Sequence, residues 1–85
     1  MVAGDIFFQP AGVEVSSGST LVVRFSNEGA LPHQFTTEAG EGTAIQEPGE
    51  SETAEIGPLE SSIVAFCSVD DHREQGMEFD ITVTE

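Results

Sequence analysis

From Met77 to Thr84 every second residue is apolar: Met77, Phe79, Ile81 and Val83 alternate with Glu78, Asp80, Thr82 and Thr84. A period of two sends alternate side chains to opposite faces of an extended chain, so this segment reads as a strand with one buried face. The same period recurs from Thr20 to Ser26, with Leu21, Val23 and Phe25 on one face and Val22 and Arg24 on the other, and again at Val13 and Val15. Ser62 to Cys67 (SIVAFC) is a continuous apolar run, the pattern of a central strand covered on both sides. Gly4 to Pro10 (GDIFFQP) reads as a short strand stopped by proline. His33 to Thr37 reads as another, and Thr53 to Ile56 as a third ending at Gly57-Pro58. SSGS at 16–19 and the stretch from Asn27 to Pro32 are turn chemistry. Residues 38–52, rich in Glu, Gly, Thr and Ser, read as an exposed loop or a poor edge strand. No stretch has a sustained helical period and no repeat appears. The expectation is an all-β chain of about seven short strands packed as a small β-sandwich.

Eighty-five residues make one domain, spanning residues 1–85, with no room for a second lobe. A chain of this size buries roughly 60–65% of its unfolded surface, so a bound ion can matter to its stability. Sixteen Asp and Glu against two basic residues, Arg24 and Arg73, give a net charge of −14. That excludes the usual nucleic-acid reading, because phosphates need a basic face, and it disfavours anionic membrane surfaces. No apolar run approaches the ~20 residues needed to span a bilayer, so no membrane insertion is expected. Met1-Val2-Ala3-Gly4 lacks the basic and apolar regions of a secretory signal. The chain therefore reads either as cytosolic as written or as a mature domain carrying an added start Met. A single Cys excludes an internal disulfide and leaves a buried thiol, a nucleophile, half of an intermolecular bridge or a metal ligand.

The chemistry is concentrated between Cys67 and Met77. Cys67, His72 and Met77 are separated by four residues each, in a loop joining the two strongest C-terminal strands. Such a loop can converge its side chains on one point at a sandwich rim, which a straight strand cannot do. His33, in a loop with Gly29 and Pro32, falls at the same rim on this reading. A soft thiolate, two imidazoles and a weak thioether make the ligand set of a blue-copper electron-transfer site. Each residue also has a plainer reading. Cys67 ends an apolar strand and could be an inert core thiol. His33 could be a rim histidine, and His72, between Asp71 and Arg73, a surface one. Met77 could simply pack with Phe79 and Ile81. A Cys67–His72 nucleophilic pair would need an orienting third group and a substrate pocket, for which a small sandwich has little room.

The chain resembles the cupredoxins, the blue copper proteins that include plastocyanin, halocyanin and rusticyanin, over nearly its whole length. The stretch FFQPAGVEVSSGSTLVVRFSNEGALPHQF carries the resemblance in the N-terminal half, and the Cys67/His72/Met77 spacing, like that of rusticyanin, carries it in the C-terminal half. The resemblance implies a Greek-key β-sandwich binding one type 1 copper ion at one end. His33, Cys67 and His72 are then the metal ligands, with Met77 axial, and Ser68 supplies a hydrogen bond that steadies the loop. It implies a one-electron shuttle rather than an enzyme. Redox partner proteins would dock on an apolar surface near His72, whose edge is the electron port, and the setting would be extracytoplasmic. A monomer is expected. Three features depart from the family pattern. Gln34 stands where plastocyanin and azurin have Asn, Asp70-Asp71 replaces the usual Pro before the second His, and the chain is short between residues 38 and 60.

Two alternatives stand beside this reading: a copper storage or delivery protein, and a metal-free interaction sandwich. A cupredoxin domain excised from a larger protein is a further one. The acidic residues read mostly as a solvated face, serving either a basic redox partner or solubility at high salt, with the absence of Lys favouring the second. At low salt a charge of −14 repels itself, and molar salt shortens the Debye length to ~3 Å. The melting temperature is expected to rise between low and molar NaCl; a flat or falling curve in a thermal scan contradicts this.

Overall fold

A computed structural model describes residues 1–85 as seven strands and no helix: β1 (Val2–Gly4), β2 (Phe7–Gln9), β3 (Gly12–Ser16), β4 (Ser19–Asn27), β5 (Ser51–Leu59), β6 (Ile63–Phe66) and β7 (Glu78–Thr84). They form two sheets, β2-β1-β4-β5 and β3-β7-β6. Both sheets are mixed, because β1 runs parallel to β4 and β3 parallel to β7 while the other pairs are antiparallel. No helix is long and apolar enough to cross a membrane.

The period-two segments pack as their sequence demands. Val23 and Phe25 of β4, Ala54 and Ile56 of β5, Ala65 of β6, and Phe79 and Ile81 of β7 are all buried between the sheets. Phe35 sits at the centre with no exposed surface. Its ring meets Phe8 and Phe79 edge-on, with centroids 5.5 and 5.3 Å away, and lies tilted against Phe25 at 6.1 Å. Edge-to-face contact matches the positive rim of one ring to the negative face of the next.

Four expectations about individual strands are corrected. Gly4 to Pro10 is not one strand. The chain turns at Asp5-Ile6, pairing Ala3 with Phe8 and Gly4 with Phe7 in a tight hairpin. Adjacent Phe7 and Phe8 cannot face the same side of a strand, and folding back lets Ala3 and Phe8 both enter the core while Phe7 stays exposed. His33 to Thr37 keeps strand-like alternation, with His33, Phe35 and Thr37 buried, but forms isolated bridges to Gln46, Gly42 and Phe66 rather than a ladder. Its partners on one side are loop residues, and the close approach of Thr36 requires Gly42, where a Cβ would overlap the Phe35 carbonyl oxygen. Gly57-Pro58 does not end the strand before it. Gly57 adopts a positive φ of 126°, a register shift between Ser19 and Leu21 absorbs the irregularity, and pairing resumes at Leu59. Finally, the apolar run before Cys67 forms an edge strand of its sheet, and β7 is the central one. A single backbone bridge from Thr36 to Phe66 covers that edge.

Inward registers bring special residues to one end of the sandwich. The Val23/Phe25 register of β4 ends at buried Asn27. On the other sheet Phe66 pairs with Glu78, so the inward positions just beyond this pair are Cys67 and Met77, both fully buried. Phe35→Ala is expected to cost about 3–5 kcal/mol, since it removes the ring at the centre of the aromatic cluster. Urea unfolding checks this; a loss below about 1 kcal/mol contradicts the packing described.

Candidate metal centre

Beyond Cys67 the chain winds through successive tight turns. The His72 N–H donates to the Val69 carbonyl at 3.0 Å, the Gln75 N–H to the Asp71 and His72 carbonyls at 3.1 Å, and the Gly76 N–H to Arg73 at 3.0 Å. Two further bonds close the loop: the Met77 N–H donates to the His72 carbonyl at 3.1 Å, and the Cys67 N–H to the Met77 carbonyl at 3.2 Å. Asp70 takes a left-handed conformation, φ 46°, a region that Asp tolerates better than most residues. On the outside, Arg73 stacks 3.9 Å over the Phe66 ring and reaches Glu38 at 2.7 Å and Glu78 at 3.2 Å. Arg73 thus ties this loop to the preceding acidic one.

This winding turns the His72 ring inward. Its Nδ1 lies 3.4 Å from the Cys67 sulfur, and His33 Nδ1 lies 3.9 Å from the same atom. The two imidazoles are 4.9 Å apart between ring centres, and the three candidate ligand atoms all fall within 4.8 Å of one another. Cys67 and His33 have no exposed surface and His72 only 4%. The plainer reading of His72 as a surface residue therefore fails for most of the ring, because the turn at 69–72 folds it against His33. Its Nε2 has no protein partner, while every fully buried side-chain nitrogen and oxygen is hydrogen-bonded, so this edge is the part that meets solvent. Met77 is fully buried, and its main chain bonds to both Cys67 and His72.

Neighbouring groups hold the cluster. The Gln34 backbone N–H points at the Cys67 sulfur from 3.4 Å. The Gln34 side chain donates to the Thr43 carbonyl at 2.9 Å and accepts a hydrogen bond from the Ser68 hydroxyl. Ser68 thus steadies the loop as expected, through the residue that departs from the family pattern. Asn27 organises the segment leading to His33. Its amide nitrogen donates to the carbonyls of Leu31 and Gln46, and its oxygen accepts from the Gly29 N–H, each at 2.9 Å. His33 Nε2 lies 2.7 Å from a carboxylate oxygen of Asp5. The Ala30 N–H, then the His33 ring, and also the Leu31 N–H hold the Asp5 carboxyl below its ordinary range, against a smaller opposing effect of desolvation. Asp5 is thus an anion at neutral pH.

Asp5 is the neighbour of the cluster that sequence reasoning missed: it lies 28 residues from His33 and carries no motif signal. Chemically, the donor set fits copper. One sulfur and two imidazole nitrogens converge in a buried site, and thiolate suits Cu(I) while imidazole suits Cu(II).

No family model and no curated protein matches the sequence. Solved structures do. A reduced auracyanin from Roseiflexus castenholzii superposes with a TM-score of 0.85 over 99% of this chain and 94% of its own, at 21% identity. Auracyanin A from Chloroflexus aurantiacus, described as a blue copper protein, gives 0.81 over 99% and 97% at 16% identity. The chain has the cupredoxin fold. A blue copper oxidase from Nitrosomonas europaea also matches, at a TM-score of 0.71 and 20% identity, but there 85% of this chain covers only 28% of the larger one. The fold thus occurs both in small copper proteins and as a part of a larger copper oxidase. The expected fold, a Greek-key cupredoxin sandwich, is borne out over nearly the full length.

Asn27→Ala removes three hydrogen bonds from the buried approach to His33. It is expected to destabilise the protein by about 2–3 kcal/mol and to speed hydrogen exchange at the His33 amide. A change below about 0.5 kcal/mol with unaltered exchange contradicts the role assigned to it.

Proposed function

We propose that this protein is a type 1 copper electron carrier, a one-electron shuttle between redox proteins. The observation that carries the reading is the convergence of His33, Cys67 and His72 on one buried point, with ligand atoms within 4.8 Å of one another. His33, Cys67 and His72 would hold the ion, and Met77, buried directly beyond the β6–β7 end, would offer its thioether as a further, weaker ligand. A bound copper ion supplies the redox step, cycling between Cu(II) and Cu(I). The chain's own contribution is restraint. The hydrogen bonds within the 67–77 loop and those of Gln34, Asn27 and Asp5 keep the donors in place, and burial excludes water that would otherwise have to reorganise with each change of charge.

The same features argue against enzymatic use of the thiol. Cys67 has no exposed surface and His72 presents only an edge, so a substrate has no approach to the sulfur. Electrons enter and leave through the exposed edge of His72. Partners dock at this end of the sandwich, where Leu31 and Ile45, on segments flanking His33, are 42% and 52% exposed. Such partners are expected to be redox proteins in an extracytoplasmic setting, met by a monomer whose residues 1–85 form a single domain. Storage or delivery of copper uses the same ligands but predicts fast metal exchange and poorly reversible redox.

Titration of the apo-protein with Cu(II), followed by visible absorption, tests the assignment. An intense thiolate-to-copper band saturating at one equivalent, and lost in Cys67→Ser, is expected. A folded protein that shows no such band contradicts it.

A further inference from the structure

A neutral imidazole carries its proton on one nitrogen and offers a lone pair on the other, so a histidine can serve as a ligand only in the right tautomer. At His33 the choice is made by Asp5. Nε2 faces the Asp5 Oδ1 oxygen at 2.7 Å, where a carboxylate accepts and cannot donate. A neutral His33 in this contact donates from Nε2 to the carboxylate, which leaves the Nδ1 lone pair for the side of the Cys67 sulfur, 3.9 Å away.

The anchor is built rather than incidental. Asp5 lies in the turn of the β1–β2 hairpin, and the same carboxylate accepts the Ala30 N–H at 2.8 Å and the Leu31 N–H at 3.3 Å. The Glu28 N–H donates to the Ala3 carbonyl at 2.8 Å and lashes the hairpin to the loop that carries His33. The space for the contact depends on Gly29. A Cβ there would overlap the Asp5 carboxylate oxygen, lying 2.9 Å from its Cγ and 3.1 Å from His33 Nε2. The two imidazoles are consequently unequal: His33 is fully buried against a carboxylate, while the Nε2 of His72 has no protein partner.

We propose that Asp5 is the positioning residue of the metal centre: it fixes His33 as the Nε2–H tautomer and places a negative charge behind that ligand, stabilising Cu(II) over Cu(I) and lowering the reduction potential. The charge makes the imidazole a stronger donor, and a dipositive ion gains more from it than a monopositive one. The half-reaction is the gain of one electron by bound Cu(II) to give Cu(I), with no proton transferred to or from Asp5. The potential rests on the copper reading above; the tautomer does not.

The test therefore has two arms. Long-range ¹H–¹⁵N correlation spectra of the wild-type apo-protein at neutral pH should show His33 as a single Nε2–H tautomer. The Nδ1–H form, or an even mixture, overturns the proposal whether or not copper binds. In the copper-loaded protein, Asp5→Asn keeps an acceptor for His33 but removes the charge. It should raise the potential and lower Cu(II) affinity about 10–100-fold while changing Cu(I) affinity less. Gly29→Ala keeps every charge but displaces the carboxylate; it should yield mixed tautomers and shift the potential in the same direction. Asp5→Glu, which restores the charge, should return the potential toward the wild-type value. An unchanged potential in folded Asp5→Asn and Gly29→Ala overturns the proposal. Should Asp5→Asn fail to fold, Gly29→Ala and the wild-type tautomer still decide it. Absence of the thiolate-to-copper band from wild type sinks the electron-carrier reading instead, and the apo spectra then judge the Asp5–His33 contact alone.

Discussion

Two imidazole nitrogens and a thiol sulfur lie within 4.8 Å of one another in a buried site, and everything around them is arranged to keep them there. Groups of this kind are costly to bury unless each polar atom has a partner, and here none of the buried side-chain nitrogens or oxygens lacks one. His33 Nε2 meets the Asp5 carboxylate, both Nδ1 atoms face the Cys67 sulfur, and the Gln34 N–H points at that sulfur. Main-chain bonds within the 67–77 loop, together with the Asp5 and Gln34 contacts, hold the three donors in place. For a one-electron carrier that is the useful property, because a centre that need not rearrange presents a small barrier to the change of charge.

The strands deliver this arrangement through their registers. A period of two runs inward along β4 to Asn27, along β6 to Cys67 and backward along β7 to Met77, and all three fall at one end of the sandwich. Shifting any of these strands by one residue would turn its terminal residue to the opposite face. The aromatic cluster around Phe35 makes such a slip expensive, because the residue two positions from His33 is locked among three other rings. Core and metal centre are in this sense one construction, with the apolar packing setting the register and the register setting the site.

Much of this was legible in the sequence, for reasons that separate cleanly from what was not. The alternation in 20–26 and 77–84 identified strands and faces correctly, because sidedness is a local property of spacing. His33, Cys67 and His72, singled out by residue type and spacing, lie together at the sandwich rim, while Met77 is buried and bonded to Cys67 and His72 through its main chain. Boundaries and pairings were less visible. The hairpin at Asp5-Ile6 depends on which of Phe7 and Phe8 the core accepts, the continuation of β5 through Gly57 on a register shift opposite Ser19 and Leu21, and the bridges of 33–37 on neighbours distant in sequence. Asp5 had no signal at all, because nothing near it announces a contact with His33. The plainer reading of His72 as a surface residue fails because its charged neighbours, Asp71 and Arg73, mark the outside of a turn whose inside holds the ring. Arg73 itself bridges Glu38 and Glu78, so one of the chain's two arginines secures the ligand loop against an acidic surface.

Structural likeness to auracyanins at 16–21% identity supports the fold over the whole chain, and the site must stand on its own geometry. The central claim is that the chain holds its donors in one restrained arrangement suited to both oxidation states of copper. X-ray absorption at the copper edge, recorded on the same loaded sample before and after reduction, tests it most directly. The account predicts one sulfur and two imidazole nitrogens as close neighbours of copper in both states, with little change in their distances. Loss of an imidazole or of the sulfur on reduction, or a first shell made mainly of oxygen, contradicts it.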